Sequence, residues 1–418
     1  MTKSTLLDKE FNELNSINLS DKQQISIWQN IHQKNKRGNK LLFLKNSAIL
    51  IAALSIILLL STTLIAGKIG KKQPNGTPEN PITISTTNVN MSAVTAIRLA
   101  DFNTGWAGGN GWIAKTASGG KHWNVVYQGN GTVEQITALN RSDVWATLNQ
   151  GVNKWSLLHS NDGGQHWSSI GSMPNNSFLH FISKTTALSG NAFSKNGGKS
   201  WHSLPVPKDI VGEAYFHDVK NGWVVTQSNK VLNVKRTTNG GGKWNTVMSK
   251  KLIEPLAGAM IHSAGTNDSW IELIGGTGMS QTSYSVFHTL DGGKSWRTVI
   301  ANSTAGGGPA PGFSLEYDKG PTNKGAKPGP LYVVSPQVAF MGGSCQACDN
   351  HQNSIGWTND GGKTWVNSKV MLDGYGDAYL AISDANHGWW ITTENTKPSM
   401  MYTTSDGGVH WTKVHIFR

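Results

Sequence analysis

Cysteine is nearly absent: two residues in 418 allow one disulfide at most, so the chain is not a disulfide-stapled scaffold. Charge is also sparse, with Asp, Glu, Lys and Arg together making 15% of the residues. That is too little for a long coiled coil or a charge-driven disordered chain. Long apolar runs are lacking too, except one. Ala48 to Gly67 (AILIAALSIILLLSTTLIAG) carries no charge over twenty residues, and a helix of that length matches the roughly 30 Å hydrocarbon core of a bilayer.

The net charge of +12 is concentrated around that run. Residues 1–46 hold eight basic and four acidic side chains, and Lys68, Lys71 and Lys72 follow the run. Residues 73–418 hold 26 basic against 21 acidic, too small an excess to argue for nucleic acid. Forty-odd residues precede the run, and Leu64-Ile65-Ala66 is a poor cleavage site, so a permanent anchor is expected rather than a signal peptide. Lys34, Lys36, Arg37, Lys40 and Lys45 on its N-terminal side favour a cytoplasmic N-terminus. Residues 1–46 are expected to form a short helical cytoplasmic segment: Leu6, Leu7, Phe11 and Leu14 recur at near-helical spacing, and Ser20 to Gln23 resembles a capping box. The expected order is then a transmembrane helix over 47–67, a polar linker over 68–84 and a single domain over 85–418.

What that last domain has in abundance is glycine, 48 residues, and tryptophan, 17. Much of both falls in one repeated box: TASGGKHW ending at Trp123, SNDGGQHW at Trp167, SKNGGKSW at Trp201, TTNGGGKW at Trp244, TLDGGKSW at Trp296, TNDGGKTW at Trp365 and TSDGGVHW at Trp411. Upstream of most boxes a turn leads into another aromatic, at Trp106, Trp145, Trp223, Trp270 and Trp389. Each unit divides into four short strands, with the box as the turn between the third and fourth. Seven such units predict an all-β fold, a seven-bladed propeller of four-stranded antiparallel blades. In this reading Asp162, Asp291, Asp360 and Asp406 accept backbone N–H groups, the glycines supply positive φ, and Trp167, Trp296, Trp365 and Trp411 fill the space between blades. Ser118, Asn196 and Asn239 replace the acid in three copies, which argues against a calcium loop.

The pattern S/T-x-D-x-G-x-x-W resembles the Asp-box of sialidase-like propellers. With DGGKTW following a GW strand, it is similar to the photosystem II stability/assembly factor family and its relatives in non-photosynthetic bacteria. That resemblance covers residues 85–418 and implies a non-catalytic assembly or stability factor for a membrane complex. The family is thought to use an arginine-rich surface; here the domain has Arg98, Arg141, Arg236, Arg297 and Arg418 only. The sialidase resemblance would require an arginine triad, a Tyr–Glu pair and an acid. The adjacent Glu316 and Tyr317 fall in an irregular insert, and Arg297 follows a box Trp on an outer strand.

Function is expected where the repeat is broken. A Gly/Pro-rich insert lies between Ile300 and Leu331, and GGSCQACDNH follows the second strand of the sixth unit; both belong on the face away from the boxes. Glu316, Tyr317 and His351 are the candidate contact residues there. Cys345 and Cys348 are expected to form a local disulfide, because two thiolates and His351 fall short of a four-ligand zinc site. No cofactor and no metal are expected. The anticipated partner is a membrane or envelope protein, with a cell-wall polymer bound through exposed tryptophans as the alternative.

Overall fold

The computed structural model describes residues 89–314, 320–345, 352–374, 376–394 and 397–418. The chain divides into two units, Met1–Thr77 and Pro78–Arg418, and every described residue belongs to the second. The expected cytoplasmic helices, the span at 47–67 and the linker lie outside the described residues. Among those described, no helix is long and apolar enough to cross a membrane.

The described residues form a run of antiparallel meanders. The first sheet contains β1 (Ala96–Leu99), β2 (Gly105–Thr116), β3 (Asn124–Ala138), β4 (Val144–Asn149), β5 (Trp155–Ser160) and β6 (Ser168–Ser172). The second contains β7 (Leu179–Phe181), β8 (Ala187–Ser189), β9 (Ala192–Ser194) and β10 (His202–Ser203). The third contains β11 (Tyr215–Phe216), β12 (Gly222–Ser228), β13 (Val231–Thr237) and β14 (Asn245–Lys251). The fourth contains β15 (Gly258–His262), β16 (Ser269–Thr277), β17 (Thr282–Thr289) and β18 (Arg297–Asn302). The fifth contains β19 (Lys327–Val333), β20 (Ala339–Ser344), β21 (Asn353–Thr358) and β22 (Val366–Asn367), and the sixth β23 (Asp377–Ile382), β24 (Gly388–Thr393), β25 (Met400–Thr404) and β26 (Thr412–Ile416).

The architecture is an all-β propeller, with six sheets where seven separate blades were expected. The difference arises in the first sheet, which carries two boxes. Its strand β3 serves both units: Asn124 to Gln128 pair with β2, and Thr132 to Ala138 pair with β4. Thr132 pairs with Asn110 on one side and Asn149 on the other, so the ladder never breaks between the units. The crossover there is Gly129-Asn130-Gly131, which can stay extended. Other crossovers contain Pro174, Pro207 or Pro255, which cannot donate to a ladder and interrupt it.

The middle strands are buried on both faces, β17, β21 and β24 along their whole length, in cores shared with the neighbouring sheets. The largest buried side chains are the second-strand aromatics Trp106, Trp145, Trp223, Trp270, Trp389 and Trp390, each at most 1% exposed. Box tryptophans pack edge-on against them. Trp296 meets Trp223 at 6.1 Å and 84°, and Trp123 meets Trp389 at 5.7 Å and 71°. The second contact joins the first sheet to the last. Closure is completed by Met91 N donating to Arg418 O (3.0 Å), Ser399 N to Ser92 O (2.8 Å), and the buried Phe417 stacked between Trp112 and Trp123.

Candidate functional site

The seven boxes share one geometry. In TLDGGKSW the Thr289 hydroxyl donates to Asp291 Oδ1 (2.9 Å) and accepts from Gly293 N (2.9 Å), while Asp291 Oδ1 also accepts from Ser295 N (2.9 Å). The hydroxyls of Ser160, Ser194, Thr237, Thr358 and Thr404 repeat the pattern with Asp162, Asn196, Asn239, Asp360 and Asp406. Both glycines take positive φ, 75° and 88° at Gly292 and Gly293. A Cβ on Gly293 would stand 2.6 Å from the Val247 side chain of the preceding sheet. The Ser295 hydroxyl and N–H hold the Asp291 carboxyl down to about 2, and Asp162 and Asp360 also sit at about 2 because hydrogen bonds outweigh the opposing effect of burial. These are hydrogen-bonded scaffold turns.

Each box is fastened to a second turn that the sequence reading did not single out. The first box glycine donates to a carbonyl in the turn joining the unit's first two strands, as Gly119 to Asn103 O, Gly292 to Asn267 O and Gly361 to Gln337 O. In those turns an Asp, Asn or Ser side chain accepts two successive N–H groups: Asp101 from Asn103 and Thr104, Asp218 from Lys220 and Asn221, Asp384 from Asn386 and His387. A short polar residue four positions before the glycine of the GW pair was the legible signal. Box turns and first-to-second-strand turns therefore lie at the same end of the propeller.

At that end β1, β3, β15, β19 and β23, with Phe178 just before β7, contribute the wall of a cavity of about 340 Å³. Its wall includes Arg98, Leu139, Phe178, His262, Tyr332 and Ile382. Two contacts reach across the axis between sheets that are not neighbours. Arg98 Nη1 donates to Tyr332 Oη at 3.1 Å, and Phe178 meets His262 edge-on at 5.8 Å. Phe178 also stacks with His180 and Tyr215, and His180 with Tyr215 at 5.4 Å and 10°. The Tyr215 hydroxyl donates to Ser263 O at 3.0 Å, and burial pushes its ionisation up.

Burial lowers His180 and His262 to about 4, against the hydrogen bond that the His217 carbonyl offers His180. What surface these imidazoles keep faces the channel, where little water can solvate a second proton. Both are neutral at physiological pH, and Arg98 is the cation of the wall.

On the opposite face a pocket against Leu252, Gly276, Pro309 and Phe313 has a volume of about 10 Å³, room for one water. The described parts of the insert are packed down rather than projecting. Ser283 Oγ donates to Gly307 O (2.9 Å), Ser285 Oγ to Pro311 O (2.9 Å), and Phe313 stacks on Phe287 with Lys250 over both rings. Glu316, Tyr317, Cys348 and His351 lie outside the described residues. Cys345 is disulfide-bonded, and its N–H donates to Gln352 O. Among the described residues no cluster of three or more His, Cys, Asp or Glu could hold a metal ion.

Two buried features away from the cavity matter for stability. His288 lies on Trp270 (3.8 Å, 17°), and its ring nitrogens face Asp268 Oδ1 at 2.7 Å and, in the next sheet, Gly361 O at 2.9 Å. Arg236 reaches Gly292 O from the equivalent position, over Trp223. Glu272 on β16, opposite Met260 and Val286, is fully buried, and both carboxyl oxygens lack a hydrogen-bond partner. Burial pushes it up to about 8, so it is held as the neutral acid.

The cavity residues went unnoticed in the sequence because they lie outside the repeated box and differ in kind and number from unit to unit: Arg98 to Ala100 come from one inner strand and its turn, Leu331 to Val334 from another, and Phe178 and His262 stand alone in theirs.

No protein-family model matches the chain, and no curated protein sequence does. Solved structures do resemble it. YCF48 bound to a D1 peptide aligns over 76% of this chain and 92% of its own at 14% identity, with a TM-score of 0.42. YCF48 from Cyanidioschyzon merolae aligns over 77% and 95% at 15% identity, TM-score 0.44. A GH74 xyloglucanase from Xanthomonas campestris aligns over 77% of this chain at 13% identity, TM-score 0.52. The present chain spans only 53% of that enzyme, and the likeness is one of propeller architecture alone.

Proposed function

We propose that this chain is a membrane-anchored, extracytoplasmic propeller that binds a protein partner from an envelope or membrane complex, acting as an assembly or stability factor rather than as a catalyst. The observation that carries the binding assignment is the mouth of the channel on the box-turn end: about 340 Å³, walled by Leu139, Phe178, Ile382 and Tyr332 with one arginine. A concavity in which polar groups converge beside apolar walls is a usual form of a ligand site. The cavity wall holds no carboxylate, whereas glycoside hydrolysis generally needs two. The resemblance of the boxed repeat to assembly-factor propellers supports the same reading.

Anchoring rests on the apolar run at 47–67, and the extracytoplasmic side on the basic residues before it. The site proposed here lies at the box-turn end, where described residues line the cavity; the loops around Glu316, Tyr317 and His351 lie outside the described residues. A disulfide between Cys345 and Cys348 belongs to the same picture, as a brace for the loop of the fifth sheet. Wall binding through exposed tryptophans has less support. Among the described residues every tryptophan is buried or half-buried.

Site-directed photocrosslinking of the full-length chain in its native membrane tests the assignment. A crosslinker at Phe178 is expected to yield one discrete adduct with an envelope protein, and one at Val152, which is 93% exposed, none of that size. Identical adduct patterns from both positions would sink it.

A further inference from the structure

We infer that the face the third sheet turns toward the second is a docking surface for a linear phosphate polymer, held by lysines. It is separate from the channel mouth and does not rest on that reading. The domain's charge is uneven. Residues 184–251, which build most of the second sheet and all of the third, hold eleven basic side chains against three acidic ones. The rest of 73–418 holds fifteen basic against eighteen acidic. The two boxes in that stretch are also the ones with Asn196 and Asn239 in place of Asp.

Strand pairing shows where those charges stand. Val224 is buried in a core shared with Leu188 and Phe193 of the second sheet. Lys235 lies directly opposite Val224, and Asn233, Ser249 and Lys251 follow on the same face of β13 and β14. The other face, with Leu232, Val234 and Met248, enters the core shared with the fourth sheet. Elsewhere neighbouring sheets cover both faces, as in β17 and β21. Here the second sheet's strands are two or three residues long against seven in β12, β13 and β14, so its cover stops short. Asn233 and Lys235 are half-buried, and Ser249 and Lys251 are exposed.

The uncovered face is cationic, and its charges are free to bind. Among the described residues Lys208, Lys235, Lys243 and Lys251 form no ion pair. Two of the three acids nearby are engaged, Asp218 by the N–H groups of its own turn and Glu213 by that of Phe178. From Lys243 at the box turn, past Lys235, to Lys251 the charges follow roughly 25 Å of extended chain, a track rather than a pocket. Each is a point charge on a flexible stem, and Asn233, Thr246 and Ser249 add side-chain donors of the kind that meet phosphate oxygens. A protein partner would call for aromatic residues and Arg, with few Lys. This face offers neither: Arg236 is turned to Gly292 O of the fourth sheet, and Trp244, at the box end, is packed on Phe216. The same lack of rings disfavours stacked bases and insertion into a membrane surface.

Fluorescence anisotropy of labelled poly(glycerol phosphate), titrated with the full chain in a neutral detergent, tests this. With about four lysines engaged, affinity is expected to fall roughly fiftyfold between about 50 and 200 mM salt. Lys235→Gln with Lys251→Gln is expected to weaken binding at least tenfold and to flatten that salt dependence. Lys294→Gln with Lys363→Gln removes the same charge from the boxes of the fourth and fifth sheets and should change affinity less than twofold. Ser249→Glu, at an exposed position, should also weaken binding, and it keeps the test open if the first pair does not fold. Equal losses from the two pairs would overturn the site in favour of net charge alone. Poly-glutamate, phosphatidylglycerol vesicles or oligo-deoxythymidine binding as tightly at equal charge would overturn the choice of polymer, pointing to an acidic protein, a lipid surface or a nucleic acid respectively. No binding at the lower salt would overturn the inference outright, whatever Phe178 crosslinks to.

Discussion

The rim of this propeller and its axis are built by opposite rules. At the rim the same residues recur, Ser or Thr, then Asp or Asn, then Gly-Gly and Trp, and they make the same bonds within a few tenths of an ångström from Thr116 to Trp411. Around the axis the side chains follow no repeat: Arg98 and Leu139, Phe178 and His180, Tyr215, His262, Tyr332, Ile382. Repetition follows where each unit must solve an identical packing problem against its neighbour. Variation is tolerated where side chains point into open space, and there each can be chosen for a ligand.

The comparison is broken most severely by removing a buried ring. Trp270→Ala should cost about 3–5 kcal/mol, because Trp270 is fully buried under His288; a denaturant midpoint unchanged from the parent would contradict it. Next in size is the buried acid. Glu272 is raised to about 8 in the folded state, so the folded chain holds a proton that the unfolded chain releases above its ordinary carboxyl range. Stability should therefore fall as pH rises from about 5 to about 8, by at most roughly 1.4 kcal/mol per unit. Glu272→Gln should flatten that slope in urea titrations run at pH 6 and pH 8.

Smaller still is the loss of one box acid. Asp291→Ala should cost about 1 kcal/mol, whereas Asp291→Asn should be close to neutral, since Asn196 and Asn239 make the same bonds elsewhere. The sign with pH is opposite to that of Glu272: the lowered Asp162, Asp291 and Asp360 contribute stability above their unfolded range that is lost as pH falls from about 4 toward 2. These groups are partly solvated, so the amplitude is small. An acid limb of the stability curve that deepened on Asp291→Asn would refute the assignment. Smallest is the axis. Phe178→Ser, at 47% exposure, should shift stability by about 0.5 kcal/mol or less, yet abolish the crosslinked adduct. A large loss of stability would mean that the axis is core after all.

Much of the fold was legible because tight turns have strict residue demands. The glycine pair, the hydroxyl and the following Trp identify a strand-to-strand turn without reference to anything distant, and the GW pairs mark the strand beside it. The division of each unit into four short strands, with the box between the third and fourth, holds in the sheets from β7 to β26. The sheet count was less legible. Whether Gly129 to Gly131 breaks a ladder or continues it depends on the pairing partners on both sides, Asn110 and Asn149, which are nearly forty residues apart. The candidate contact residues Glu316, Tyr317 and His351 lie outside the described residues; the insert's length suggested a projecting loop, while Ser283, Ser285 and Phe287 hold its described parts against the fourth sheet.

By itself the sequence determined the local units, because glycine φ, hydroxyl caps and alternation act over fewer than ten residues. Only the tertiary structure decided which single residues from distant units face one another across the axis. Arg98 and Tyr332 are separated by 234 positions and meet at 3.1 Å, and nothing short of closing the ring between Met91 and Arg418 brings them together.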